Sequence, residues 1–137
     1  MKPLSNPIKE AERYVQNAKQ ILSEKAGKDG NCYEDPKYVK AAGNYAWNGV
    51  LVALDAVLNV RGNLKKEQRV DFQDYQTAIA KIDRKMPRSL LNAYDTLHKS
   101  LGYEGNTNYK LVQVGLEQAK EIISWAGQHY HPKKAAV

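Results

Sequence analysis

A helix that the chain has little freedom to avoid lies between Asp35-Pro36 and Gly62. Asp before Pro supplies an N-cap and a first helical residue whose fixed φ suits a helix start, and Gly62 is a natural stop near Val60. Residues 41–60 inside it read AAGNYAWNGVLVALDAVLNV, twenty residues with one charge, Asp55. On a wheel at about 100° per residue they divide into three surfaces. Ala42, Ala46, Gly49, Ala53 and Ala56 recur at 4-3-4-3 spacing, a row of small side chains that lets another backbone approach closely. Trp47, Leu54 and Leu58 form an apolar shoulder. Asn44, Asn48, Asp55 and Asn59 fall within about 60° of one another, a narrow polar line interrupted by Leu51. Lipid-facing surfaces do not carry such a line, so a helix buried over most of its circumference is expected rather than a membrane span. Inside a bundle Asp55 needs a partner, with Arg13, Arg84 or a tyrosine hydroxyl as candidates; on an open groove it would meet a ligand.

The other segments share the helical period. Asn6-Pro7 repeats the start signal, and Ile8, Ala11, Tyr14, Val15, Ala18, Ile21 and Leu22 follow on one face. Residues 27–35 (GKDGNCYED) read as a loop. Phe72, Tyr75, Ile79, Ile82 and Met86 predict a third helix that Pro87 breaks, and the pattern resumes at Leu90, Leu91, Tyr94, Leu97 and Leu101. A turn at 102–107 (GYEGNT) leads into a last helix from about Asn108 to Gln128. No useful stretch alternates with period two, so no strands are expected. Short connections favour an all-α, up-down antiparallel four-helix bundle whose third layer is interrupted at Pro87. The 137 residues suit one domain over 1–137, with about 132–137 as a basic tail.

Composition narrows the chemistry. Cys32 is the only cysteine, which rules out an intramolecular disulfide and a Cys-rich zinc site. The N-terminal MKPLSNPIKEAERY has no apolar core of a signal peptide, so a cytoplasmic protein is expected. Phosphate-loop, dinucleotide, zincin and nucleophile-elbow motifs do not occur. No His has a Glu three residues before it, so a di-metal carboxylate bundle is not expected. His129 and His131 at i, i+2 on a helix would point about 200° apart and chelate poorly. Neither a cofactor nor a metal is expected.

The net charge of +6 is concentrated. Arg61, Lys65, Lys66 and Arg69 outweigh Glu67 in one cluster, and Lys81, Arg84, Lys85 and Arg88 outweigh Asp83 in another. Arg61, Lys65, Lys66, Arg69, Arg84, Lys85 and Arg88 are therefore the candidate contacts to RNA phosphates or an acidic partner. The shoulder at Trp47, Leu54 and Leu58 exceeds what one small seam needs and nominates a contact between copies, a dimer being favoured.

The segment NYAWNGVLVALDAVL (44–58) resembles the second helix of HEPN-type bundles, and VGLEQAKEIISWA (114–126) resembles their C-terminal helix. The chain is more specifically similar to a family of small uncharacterised bacterial helical proteins in which the GYEGNTNYK turn (102–110) precedes the final helix. The resemblance implies a HEPN-like bundle and a dimer. Relatives of that shape bind RNA or nucleotides, or partner nucleotidyltransferases. Ribonuclease members carry an Arg followed by a polar residue, with four to six residues between the Arg and a His, and His98, His129 and His131 have no such Arg. The function expected is thus a non-enzymatic interaction module, self-associating and binding a protein or RNA. The alternative is a degenerate HEPN-type ribonuclease using His98.

Overall fold

The computed structural model describes residues 6–61 and 71–131. Helix α1 (Pro7–Ile21) ends in a π-helical turn, Leu22–Ala26, and is followed by strands β1 (Lys28–Asp29) and β2 (Cys32–Tyr33). Helix α2 (Pro36–Arg61) comes next, then α3 (Phe72–Ala80) and α4 (Met86–Ala93). A π-helical segment, Tyr94–Tyr103, continues α4, and α5 (Tyr109–His129) closes the order. The chain is mainly helical, and the start signals act where the residues place them. Asn6 Oδ1 accepts from the Ile8 amide at 2.9 Å, and Asp35 Oδ1 from Lys37 at 2.9 Å. Asn108 Oδ1 accepts from Leu111 at 3.0 Å. Each satisfies a donor that the first helical turn leaves without a partner.

Helix α2 is the hub. Helices α1 and α5 and the π-helical segment all pack on it, and Val39, Val50, Ala53, Leu54, Val57 and Leu58 are fully buried. Burial of each Leu or Val removes enough apolar surface from water to stabilise the fold by roughly 1.5–3 kcal/mol. The small-residue seam meets α1. A methyl on Gly49 would stand 2.9 Å from the Ala11 carbonyl oxygen and 2.9 Å from Tyr14 Cβ. A second close crossing lies at Gly43, where a methyl would stand 2.7 Å from the Gly102 amide nitrogen and 2.8 Å from the Leu97 carbonyl oxygen. That crossing joins α2 to the π-helical segment, backbone against backbone.

Two features depart from the sequence expectation. The 27–35 connection is not simple loop: β1 and β2 form a hairpin, pairing Lys28 with Tyr33 and Asp29 with Cys32. Its flanks are too short and too polar to alternate, and it is held by the fold instead. Tyr33 N donates to the Thr107 carbonyl at 2.9 Å, and Tyr109 N to the Asn31 carbonyl at 2.9 Å, pinning the hairpin to the start of α5.

The third layer breaks earlier than Pro87. Helix α3 stops at Ala80, and Pro87 sits in the first turn of α4, where its missing N–H costs nothing. Asp83 explains the shift. Its carboxylate accepts from the Lys85 amide at 2.9 Å, a local turn that competes with helix continuation.

Candidate functional site

The polar line of α2 divides along its length. Asn44, Asn48 and Asn59 are exposed, and Asn44 Nδ2 reaches the Gly102 carbonyl at 3.4 Å. Asp55 is half-buried and accepts a 2.6 Å hydrogen bond from the Tyr75 hydroxyl of α3. Among the candidate partners, the tyrosine hydroxyl is the one that engages it. Burial raises the Asp55 pKa, and the Tyr75 bond opposes that only in part. Tyr75 is raised in turn, by burial first and then by its bond to the carboxylate, so its proton stays on.

The expected apolar shoulder does not lie on the surface, and this corrects its assignment as an oligomer contact. Trp47, Leu54 and Leu58 are 6%, 0% and 0% exposed within one chain. Trp47 packs against Phe72 and Tyr94, with ring centroids 6.3 and 5.4 Å away. Other parts of the same chain cover the shoulder, with Phe72 and Tyr94 over Trp47, an outcome that a wheel drawn for one helix cannot contain. The covering rings form a ladder: Phe72 stacks on Tyr94 at 4.4 Å, and Tyr94 on His98 at 5.0 Å. His98 is its exposed end.

Of the two basic clusters, Lys65, Lys66 and Arg69 and the side chain of Arg61 lie outside the described residues. The second cluster forms the connection from α3 to α4 and the first turn of α4. Lys81, Arg84, Lys85 and Arg88 are all exposed. Asp83, the one acid among them, is turned onto the protein: Trp125 Nε1 of α5 donates to its carboxylate at 3.0 Å. The Lys85 amide, with help from the Trp125 indole, the Met86 amide and the nearby His129, holds the Asp83 carboxyl below its ordinary range. Gln76 Nε2 of α3 donates to the Pro87 carbonyl at 2.9 Å and ties the connection from its other side. The result is a row of four cations on a braced turn, with its carboxylate engaged elsewhere.

Sequence reasoning nominated Arg84, Lys85 and Arg88 but missed Trp125 as the brace. The Trp125 indole bond spans 42 residues, beyond the reach of any local pattern. The His129 ring lies tilted against the same indole, with centroids 4.5 Å apart, and its Nδ1 lies 2.9 Å from the Trp125 carbonyl. Among the described residues, no three His, Cys, Asp or Glu side chains gather in a way that could hold a metal ion. No helix among them is long and apolar enough to cross a membrane.

A family model described as "Domain of unknown function (DUF5618)" matches residues 6–128. A protein of unknown function from Dyadobacter fermentans has a similar solved structure, with a TM-score of 0.79 at 35% identity over 89% of this chain and 93% of that one. A solved protein from Sulfolobus solfataricus is similar in fold alone, with a TM-score of 0.67 at 18% identity over 94% of this chain and 100% of that one. No curated protein matches the chain. The chain belongs to the DUF5618 family.

Proposed function

We propose that this DUF5618 domain is a non-enzymatic helical interaction module that binds RNA through its phosphates, on a HEPN-like up-down four-helix bundle. The bundle reading rests on α1, α2, α4 with its π-helical continuation, and α5 as the long layers, with α3 as a short lead-in to the third. The single observation behind RNA binding is the braced turn. Lys81, Arg84, Lys85 and Arg88 are exposed, while the Asp83 carboxylate that would offset them is engaged by Trp125 and the Lys85 amide. Exposed cations held on a fixed turn suit a phosphate backbone, because each neutralised phosphate releases condensed counterions.

The test is a salt titration against a structured RNA. Binding is expected at about 50 mM salt and should weaken linearly in log–log form. Replacing Arg84, Lys85 and Arg88 together by Gln should reduce the salt slope by about two to three, roughly one per lost phosphate contact. No binding by the native chain at low salt, or an unchanged slope in the variant, defeats the reading. The competing ribonuclease reading, with His98 as the working base, predicts RNA cleavage that His98→Ala abolishes. Binding without cleavage separates the two.

Self-association is also proposed, and with Trp47, Leu54 and Leu58 buried it needs another apolar surface. Leu91, Tyr103 and Val114, at 44%, 80% and 49% exposed, are residues the surface offers for it. Light scattering decides, and a monomer at high concentration removes that part. A second protein, such as a nucleotidyltransferase, is the partner to test should RNA fail to bind.

A further inference from the structure

Helices α1 and α5 both rest on α2 and meet each other, and a hollow between them is walled at one end by the hairpin. The hollow there has a volume of about 590 Å³ and lies between Lys19, Leu22, Lys28, Tyr33, Gln113 and Leu116, with the Tyr109 ring beside them. This falls in the range of small-molecule sites. Lys19, Lys28 and the Tyr33 hydroxyl are donors in its wall, with the Ser23 hydroxyl and the Gln113 carboxamide beside them. Gln113 Nε2 donates to the Tyr33 hydroxyl at 3.3 Å, which occupies an acceptor position and leaves the hydroxyl hydrogen free to point into the space. Burial raises the Tyr33 pKa, so that hydrogen stays in place. Lys28 Nζ sits 3.8 Å from the centroid of the Tyr109 ring, which steadies the ammonium at the hollow's edge. Lys19 reaches the same space from α1. No carboxylate lines it; Glu34 lies against Gly27, on the hollow's edge, without lining the space.

The walls are held in place before any ligand arrives. A helical pair needs only about two to five connecting residues, yet this connection builds a hairpin and bonds it to the start of α5. Those bonds orient the Tyr33 and Tyr109 rings, whose centroids are 5.6 Å apart. Beyond Lys19 a second hollow of about 390 Å³ continues along the α1–α5 seam, where Ile8, Val15 and Ile123 lie among polar side chains that include Glu12 and Lys120. We propose that this groove binds a small organic anion. Its carboxylate or phosphate-type head would be held by the Tyr33 hydroxyl, Lys19 and Lys28, and its apolar body would lie along Leu22, Leu116 and the seam. The site is separate from the braced turn and takes a different ligand.

The test uses two fluorescent probes with the same body: anilinonaphthalene sulfonate, which is anionic, and phenylnaphthylamine, which lacks the sulfonate. The native chain should bind the sulfonate saturably, one per chain. Lys19→Met with Lys28→Met should weaken it by about tenfold or more, the scale of a lost charge-assisted contact, and Tyr33→Phe by about threefold or more. Affinity for the neutral probe should change by less than about twofold in the same variants, and Lys85→Met on the braced turn, away from the groove, should leave the sulfonate unaffected. Circular dichroism confirms that each variant is folded. Non-saturable binding, an unchanged sulfonate affinity in the double variant, or equal losses for both probes overturns the proposal.

Discussion

Two half-buried carboxylates, Asp55 and Asp83, each accept a hydrogen bond from the polar tip of an aromatic ring on another helix, and they respond in opposite directions. Tyr75 donates to Asp55 at 2.6 Å, and Trp125 to Asp83 at 3.0 Å. Burial dominates at Asp55 and raises its pKa, whereas the Lys85 amide dominates at Asp83 and lowers it. The difference follows from local backbone. Asp55 lies inside α2, where neighbouring amides are consumed by helical bonds, so only a distant side chain can solvate it. Asp83 lies in a turn, where the Lys85 amide is at hand before any tertiary contact forms. An acid mid-helix depends on the fold for its partner. An acid in a turn brings partners with it.

Substitutions can break this comparison, beginning with the aromatic donors. Trp125→Ala should cost about 3–5 kcal/mol in urea unfolding, since it removes a ring that is 8% exposed as well as the indole donor. Tyr75→Phe keeps the packing and deletes only the hydroxyl. It should cost about 1–3 kcal/mol, because Asp55 is left half-buried without its bond, and the Asp55 pKa should rise further by NMR titration. A loss below a few tenths of a kcal/mol would mean water solvates Asp55 without help.

The acids themselves sharpen the contrast through pH. Above the ordinary aspartate value of 3.8 and up to the raised Asp55 pKa, the folded chain holds more protons than the unfolded one, so stability falls as pH rises there. Asp55→Asn keeps an acceptor for Tyr75 and should remove that fall. For Asp83 the sign reverses: its contribution is present above 3.8 and is lost as pH falls through its lowered pKa. Asp83→Asn should flatten that acid-side loss. Denaturation midpoints across the acid range check both, and parallel profiles for the two variants would contradict the opposition. The smallest effect is expected at Asn44→Ala, at most about 0.5 kcal/mol, because its 3.4 Å bond to Gly102 is long and exposed.

Much of the fold was legible in the chain because its determinants are local. Asn6-Pro7, Asp35-Pro36 and Asn108 start helices through bonds to amides two or three residues on, and such bonds need no distant partner. The seam at Ala42, Ala46, Gly49 and Ala53 was visible for the same reason, since its spacing is a property of one helix. Pro87 misled because the residue stops a helix or starts one, and Asp83 upstream decided between the two. The hairpin at 28–33 escaped because its strands are only two residues each and depend on Thr107 and Tyr109 for support.

The candidate sites were less legible. The cations of the braced turn stand out as charges, but nothing near Asp83 in sequence announces Trp125. The anion groove joins Lys19, Lys28, Tyr33 and Gln113, and the Tyr33–Gln113 bond alone spans 80 residues. By itself the sequence determined the helices, their caps, the polar line and the small-residue seam, each set by neighbours within a turn or two. Only the tertiary structure decided that Trp47, Leu54 and Leu58 are buried within one chain, that Asp55 meets Tyr75, and that a hairpin closes the groove. Those outcomes depend on which helix faces which, and packing free energy summed over the whole core selects that arrangement.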